Sequence, residues 1–265
     1  MSRYAAMFDR CRSRGEGAFG AFVMLGDPGP AECLATIDAL VAGGADMLEV
    51  GIPFSDPVAD GPVIQAAAAR ALSAGVRTGD CLDLLAEIRR RHPSVPLGVL
   101  TYANIVAARG IGPFCTKLAG AGTDSLLVAD VPQLEAAPYA GAAKAAGLDL
   151  VLIAAPSTPY AALGRIAAMA SGYTYCVARS GVTGAGVAPA LDHRALFDRL
   201  SSLGAPPPVL GFGISTPDQV AMAMAEGAAG VISGSAIVDR IAKGATLEGV
   251  EAFARSLKTA CARPD

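Results

Sequence analysis

The chain has 265 residues, 52% of them hydrophobic and 17% charged, with a formal net charge of −3. That hydrophobic content excludes disorder, which needs few apolar residues and a high net charge, and the near-balanced charge leaves no footprint of a nucleic-acid binder. The mean hydropathy of +0.44 is high, yet every apolar run is short and cut by glycine, proline or a charge, so no membrane-spanning segment is expected.

Residues 1–18 carry four arginines and lack the apolar core of a secretory signal. An organelle transit peptide is one reading. A short amphipathic helix within residues 1–15, with Tyr4, Met7, Phe8 and Cys11 on one face, is preferred, because Asp9 and Glu16 sit among the arginines. From there the pattern repeats. Short, β-branched apolar runs at 19–25, 46–51, 96–101, 125–129, 148–153, 173–177, 208–211 and 230–233 read as strands. Alanine-rich segments of helical period lie between them, at 30–42, 63–74, 81–91, 112–120, 134–146, 159–170, 193–203 and 217–226, and 236–242 and 247–262 follow the last strand. The one basic run, Arg89-Arg90-Arg91, ends such a helix and reads as solvated.

Strands apolar on both faces belong to parallel sheets covered by helices. Eight βα units in about 250 residues predict an α/β chain forming a single (β/α)8 TIM barrel over 1–265, with the extra N-terminal helix packed on it. A doubly wound open sheet is the runner-up; it often has a G-x-G-x-x-G turn after the first strand, absent here. The six cysteines show no C-x-x-C and no close pairing. They read as reduced thiols of a cytoplasmic protein. The two histidines, His92 and His193, fall on helical segments and read as surface residues.

Barrel active sites sit at the C-terminal ends of the strands. The second strand reads Met47-Leu48-Glu49-Val50-Gly51. If Leu48 and Val50 face the helices, Glu49 points inward. A carboxylate there is costly unless it is paired or functional, and burial raises its pKa into the range of a general acid or base. The structural alternative is a glutamate paired with an arginine or a backbone donor. The next loop carries Asp56 and Asp60 among three prolines, and a helix starts near Pro62. Asp60 is either that helix's N-terminal cap or a second active-site carboxylate, and spacing leaves both open.

Tyr173, Tyr175 and Val177 share one face of the sixth strand. The loop after it holds Gly181, Gly184 and Gly186, which fits a mobile lid better than a plain turn. After strands seven and eight come Gly211-Phe212-Gly213-Ile214-Ser215 and Gly234-Ser235-Ala236, the latter opening a helix. Glycines let backbone N–H groups approach an anion, and these two loops are the usual phosphate cradle of such barrels. The four lysines all fall on or beside helices, so a Schiff-base lysine at a strand end is not expected. Two separated histidines do not make a metal cluster. Carboxylate acid–base chemistry on a phosphorylated substrate is what remains.

Four stretches, Glu49 to Pro57 continuing through Asp60-Gly61-Pro62, Arg179 to Gly184, Gly211 to Ser215 and Ser233 to Ala236, together resemble the tryptophan synthase alpha subunit family, and the likeness runs from Phe22-Val23-Met24-Leu25-Gly26-Asp27-Pro28 to the end. The resemblance implies retro-aldol cleavage of indole-3-glycerol phosphate to indole and glyceraldehyde 3-phosphate. It implies Glu49 as the acid/base, Asp60 as the carboxylate that holds the indole N–H, and Tyr175 beside the reacting carbons. Phe22, Leu100, Leu127, Ala129, Ile153, Phe212 and Ile232 match the indole pocket, and Thr183 matches the lid residue that meets Asp60. Gly184, Gly213, Gly234 and Ser235 match the phosphate site. It also implies a pyridoxal-phosphate beta subunit as partner in an αββα assembly, with Pro53, Asp56, Asn104, Asp130 and Pro132 as surface positions facing it. The cofactor would belong to that partner, and none is expected in this chain.

There are two departures from the family pattern: the stretch Gly186-Val187-Ala188-Pro189 is less polar than usual, and Ala178 replaces a common serine. Competing readings are a stand-alone lyase releasing free indole, another phosphosugar barrel such as an isomerase or a synthase, and a silent scaffold. Glu49 with Asp60 and no strand-end lysine counts against the phosphosugar enzyme, and the intact site residues count against the scaffold.

Overall fold

A computed structural model describes residues 2–177 and 193–263. Strands β1 (Ala18–Met24), β2 (Met47–Gly51), β3 (Leu97–Thr101), β4 (Ser125–Val128), β5 (Asp149–Leu150), β6 (Leu152–Ala154), β7 (Thr174–Val177), β8 (Pro208–Gly211) and β9 (Gly230–Ser233) form one sheet in the order β5-β4-β3-β2-β1-β9-β8-β7-β6. Every ladder is parallel. The expected strand 148–153 is two pieces: β5 pairs with β4, and after Val151 the chain turns to pair with β7 as β6. Val151 still donates its N–H to Leu126 O at 3.0 Å. The chain itself therefore joins the two ends of the sheet, and the ring is a (β/α)8 barrel whose fifth strand changes neighbour halfway. A tilted strand in a closed barrel faces a different register on each side.

Helices α1 (Arg3–Ser13), α2 (Pro30–Ala42), α3 (Pro62–Ser73), α4 (Thr78–Arg91), α5 (Ala103–Ala107), α6 (Ile111–Gly120), α7 (Ala137–Ala146), α8 (Tyr160–Met169), α9 (His193–Ser202), α10 (Pro217–Glu226), α11 (Ser235–Ala242) and α12 (Leu247–Thr259) surround it. Their starts follow local chemistry. Pro30, Pro62 and Pro217 occupy first-turn positions where no N–H is needed. Thr216 and Gln219 close a capping box on α10. The five-residue α5 is too short to show a helical period.

All seven residues of β1 and all five of β2 are buried, as expected for strands covered on both faces. Helix α1 buries Tyr4, Met7, Phe8 and Cys11. It closes the N-terminal end of the barrel: Arg3 pairs with Asp124 at 2.8 Å, and the Tyr4 hydroxyl meets Ser125 Oγ at 2.8 Å. At the same end Lys258 bridges Asp46 and Glu16, both at 2.8 Å. His92 and His193 are half-buried rather than at the free surface, and each ring is held by a carboxylate, Asp38 at 2.7 Å and Glu226 at 2.8 Å. All six cysteines are buried free thiols. Among the described residues no helix is long and apolar enough to cross a membrane.

Candidate active site

The C-terminal side of the barrel holds a cavity lined by Glu49, Asp60, Tyr175, Gly213, Gly234, Ser235 and the apolar side chains Phe22, Ile64, Leu100, Phe212 and Ile232. Glu49 is third in β2, between Leu48 and Val50, and its inward turn follows from strand alternation. It is 3% exposed. The Tyr173 hydroxyl donates to its Oε1 at 2.8 Å. Burial pushes the carboxyl up to about 7; the charge of Asp60 adds to the rise and the Tyr173 bond opposes it. Such a group exchanges protons near neutrality.

Asp60 does not cap a helix. Gly61 is the N-cap of α3 and uses no side chain. The Asp60 backbone is fixed instead, its N–H donating to Pro57 O at 3.1 Å and its carbonyl accepting from Gln65 Nε2 at 2.7 Å. Its carboxyl, also raised by burial, faces the buried Tyr102 hydroxyl, which favours the charged form. That hydroxyl accepts the Ala59 N–H at 3.3 Å, which leaves its own proton directed to Asp60. Two carboxyl groups thus share one cavity in different settings, one under a phenol at the barrel's centre and one on the loop above.

The far wall is built by consecutive loops. Phe212 takes φ 66° and Gly213 φ 86°; the first is a costly conformation for a bulky residue. The Phe212 ring meets Tyr175 edge-on, centroids 5.9 Å apart. A Cβ on Gly211 would lie 2.2 Å from the Tyr175 hydroxyl, so the missing side chain there makes room for the tyrosine. Gly234 is the N-cap of α11 without a side-chain cap. The first N–H groups of α11 therefore have no partner within the helix, and Gly234 and Ser235 at its start line the cavity, where a helix N-terminus favours an anion.

A family model described as "Tryptophan synthase alpha chain" matches residues 8–263. The chain belongs to the tryptophan synthase alpha chain family. The alpha chain of Klebsiella pneumoniae subsp. pneumoniae is 49% identical over 98% of both chains, and that of Aeromonas hydrophila 52% identical over 90% of this chain and 89% of its own. Among solved structures, Mycobacterium tuberculosis tryptophan synthase superposes with a TM-score of 0.90 at 32% identity over 99% of each chain. An Aquifex aeolicus chain gives 0.90 at 30% identity over the full length of both. As a tryptophan synthase alpha chain, the protein is a lyase acting on indole-3-glycerol phosphate.

Of the residues matched to the tryptophan synthase alpha chain site, Thr183 and Gly184 lie outside the described residues, as do the departures at Ala178 and 186–189. Leu127, Ala129 and Ile153 do not line the cavity itself. Leu127 is level with Leu100, and Ile153 with Tyr175, so they continue the same interior face. Asp56, Asn104, Asp130 and Pro132 are exposed on the loops above the barrel. Pro53, expected at the surface, is buried: Ile52 N still bonds to Leu100 O at 3.1 Å, so the chain is inside the barrel mouth until after that proline. Three neighbours of Glu49 and Asp60 escaped the sequence reading. Ile64 and Tyr102 lack a motif of their own. Tyr173 shares a face with Tyr175, but nothing in alternation says which phenol reaches Glu49. Among the described residues no three His, Cys, Asp or Glu side chains gather to hold a metal ion.

Proposed function

We propose that Glu49 and Asp60 divide the work of cleaving indole-3-glycerol phosphate. The observation that carries this is their juxtaposition: two buried carboxyl groups, neither ion-paired among the described residues, at one apolar cavity beside two glycine loops. The phosphate lies against Gly213, Gly234 and Ser235 and the indole ring between Phe22, Leu100, Phe212 and Ile232. Protonated Glu49 delivers its proton to indole C3, giving the indolenine. Asp60 accepts the ring N–H and stabilises the positive charge there, which an anion in a desolvated site does strongly. Glu49, now a carboxylate, takes the proton of the neighbouring carbinol hydroxyl. The bond between C3 and that carbon breaks, its electron pair restores the aromatic indole, and the carbinol carbon becomes the aldehyde. The net change moves one proton from oxygen to carbon, with Glu49 returned to its starting form. The ring serves as electron sink, so the residues need no Schiff base.

Tyr175 stays a neutral phenol, since burial and the charges of Glu49 and Asp60 hold its pKa well above the ordinary value. It positions the reacting carbons. Thr183 and Gly184 complete the lid and phosphate site in this reading. The beta subunit docks over the exposed Asp56, Asn104, Asp130 and Pro132 in an αββα assembly, brings its own pyridoxal phosphate and receives the indole. Residence in the cytoplasm agrees with six buried, unpaired thiols.

The test is indole release from indole-3-glycerol phosphate by the purified chain, alone and with a tryptophan synthase beta subunit. Slow turnover that rises many-fold with the partner is expected. Fast turnover indifferent to the partner would identify a stand-alone lyase, and no release under either condition would overturn the reading.

A further inference from the structure

The loop after β8 is strained. Phe212 sits at φ 66° and Gly213 follows at φ 86°. A non-glycine residue persists there only where its surroundings over-determine it. The described contacts that do so are few. Gln219 Oε1 accepts from Ser215 N at 2.7 Å, Ser215 Oγ at 3.0 Å and Thr216 N at 3.1 Å, which fixes the far end of the loop on α10. The Phe212 ring rests on Tyr175. One tie joins this loop to the next: Ser233 Oγ donates to Ile214 O at 2.7 Å. Ser233 is wholly buried and ends β9, immediately before Gly234 and Ser235.

We infer that Ser233 is a positioning residue for the substrate's phosphate, setting the spacing between the Gly213 loop and the start of α11 by tying Ile214 to the end of β9. This rests on the phosphate site proposed above. Ser233 does not line the cavity, and its hydroxyl is spent on the tie. Without that hydroxyl the buried Ile214 carbonyl loses its partner, and Phe212 is free to relax out of the left-handed region. The two loops then no longer present their N–H groups to one anion.

The experiment compares the full-length chain with Ser233→Ala and Ser233→Thr. Binding is read with inorganic phosphate as a competitive inhibitor and KM with indole-3-glycerol phosphate. In Ser233→Ala, phosphate inhibition and KM both weaken roughly 5- to 10-fold, the worth of one hydrogen bond, while kcat and the pH profile set by Glu49 stay as in the parent. Ser233→Thr, which keeps the hydroxyl, recovers phosphate binding. Unchanged phosphate inhibition in a folded Ser233→Ala overturns the inference, as does a loss confined to kcat. A second arm places Ser233→Ala in a Phe212→Asn background, because asparagine enters the left-handed region more readily. The loss of phosphate binding shrinks there; an equal loss in both backgrounds refutes the strain-holding role. If the parent chain itself ignores phosphate, the phosphate site is wrong rather than the role of Ser233 within it.

Discussion

At the N-terminal end of the barrel Asp124 accepts from Arg3 Nη1 at 2.8 Å, Arg89 Nη2 at 2.6 Å and Leu97 N at 2.8 Å, and Asp46 accepts from Lys258 and the Phe19 N–H. On the cavity side Glu49 meets the Tyr173 phenol and Asp60 faces that of Tyr102. The residue types are the same and the partners are not. An acid given cations and backbone donors has its charge satisfied and locks strands together. An acid given a phenol and apolar walls keeps an unsatisfied preference for its proton, which is what proton transfer uses. One end stores stability and the other stores reactivity.

The sharpest break of that contrast is Glu49→Gln. Removing a general acid–base group costs about 10²- to 10⁴-fold, and indole release falls by about that factor with the fold kept. The same variant has a stability signature. The folded chain holds the Glu49 proton up to about pH 7, whereas the unfolded chain releases it near 4.5. Stability therefore declines as pH rises through that window. Glu49→Gln lacks this decline and is the more stable form at pH 8, by at most about 3 kcal/mol. Urea unfolding at pH 4.5 and 8 measures it, and an identical pH slope in both proteins would contradict the assignment.

Asp124→Ala probes the opposite end. It strands the largely buried Arg89, which also donates to the carbonyls of Gly122, His92 and Val95. A loss of about 2–4 kcal/mol is expected, seen as a lower unfolding midpoint, with turnover per folded molecule unchanged. A catalytic defect in the folded fraction would show that the two ends are not separable. Gly211→Ala comes next. Its Cβ, 2.2 Å from the Tyr175 hydroxyl, forces that ring to move, and misplacement near the reacting atoms lowers kcat/KM by about 10- to 100-fold. Parent-like kinetics would mean that Tyr175 has room to spare. Tyr173→Phe gives the smallest effect. The lost donor raises the Glu49 pKa further from about 7, moving the inflection in kcat upward by less than about one unit; a downward movement would reverse the role given to Tyr173.

Much of this is legible in the residues. Alternation in Met47-Leu48-Glu49-Val50-Gly51 turns Glu49 inward because only two faces exist on a strand. The helix expected at 30–42 is α2 to the residue, since Pro30 opens it and glycines follow it. Other features depended on distant parts of the chain. Whether Asp60 caps α3 or faces the cavity is decided by Gly61 and Tyr102, the latter 42 positions further on. The exchange of neighbours at Val151 depends on the register of β4 and β7, not on the composition of 148–153. Pro53 lies beneath the barrel mouth because β2 continues its pairing through Ile52.

The period of the strands and helices, the inward carboxylate and the glycine-rich loops after β8 and β9 are readable from the residues alone, because they follow from local geometry and from side chains that are small or absent. That Tyr173 holds Glu49 across 124 positions, that Gly211 yields space to Tyr175, and that Ser233 ties the loop of Phe212 to the last strand emerges from the folded chain. Barrel closure brings those pairs together. Their energies depend on burial and on which neighbour remains unpaired, quantities that exist only once the ring has closed.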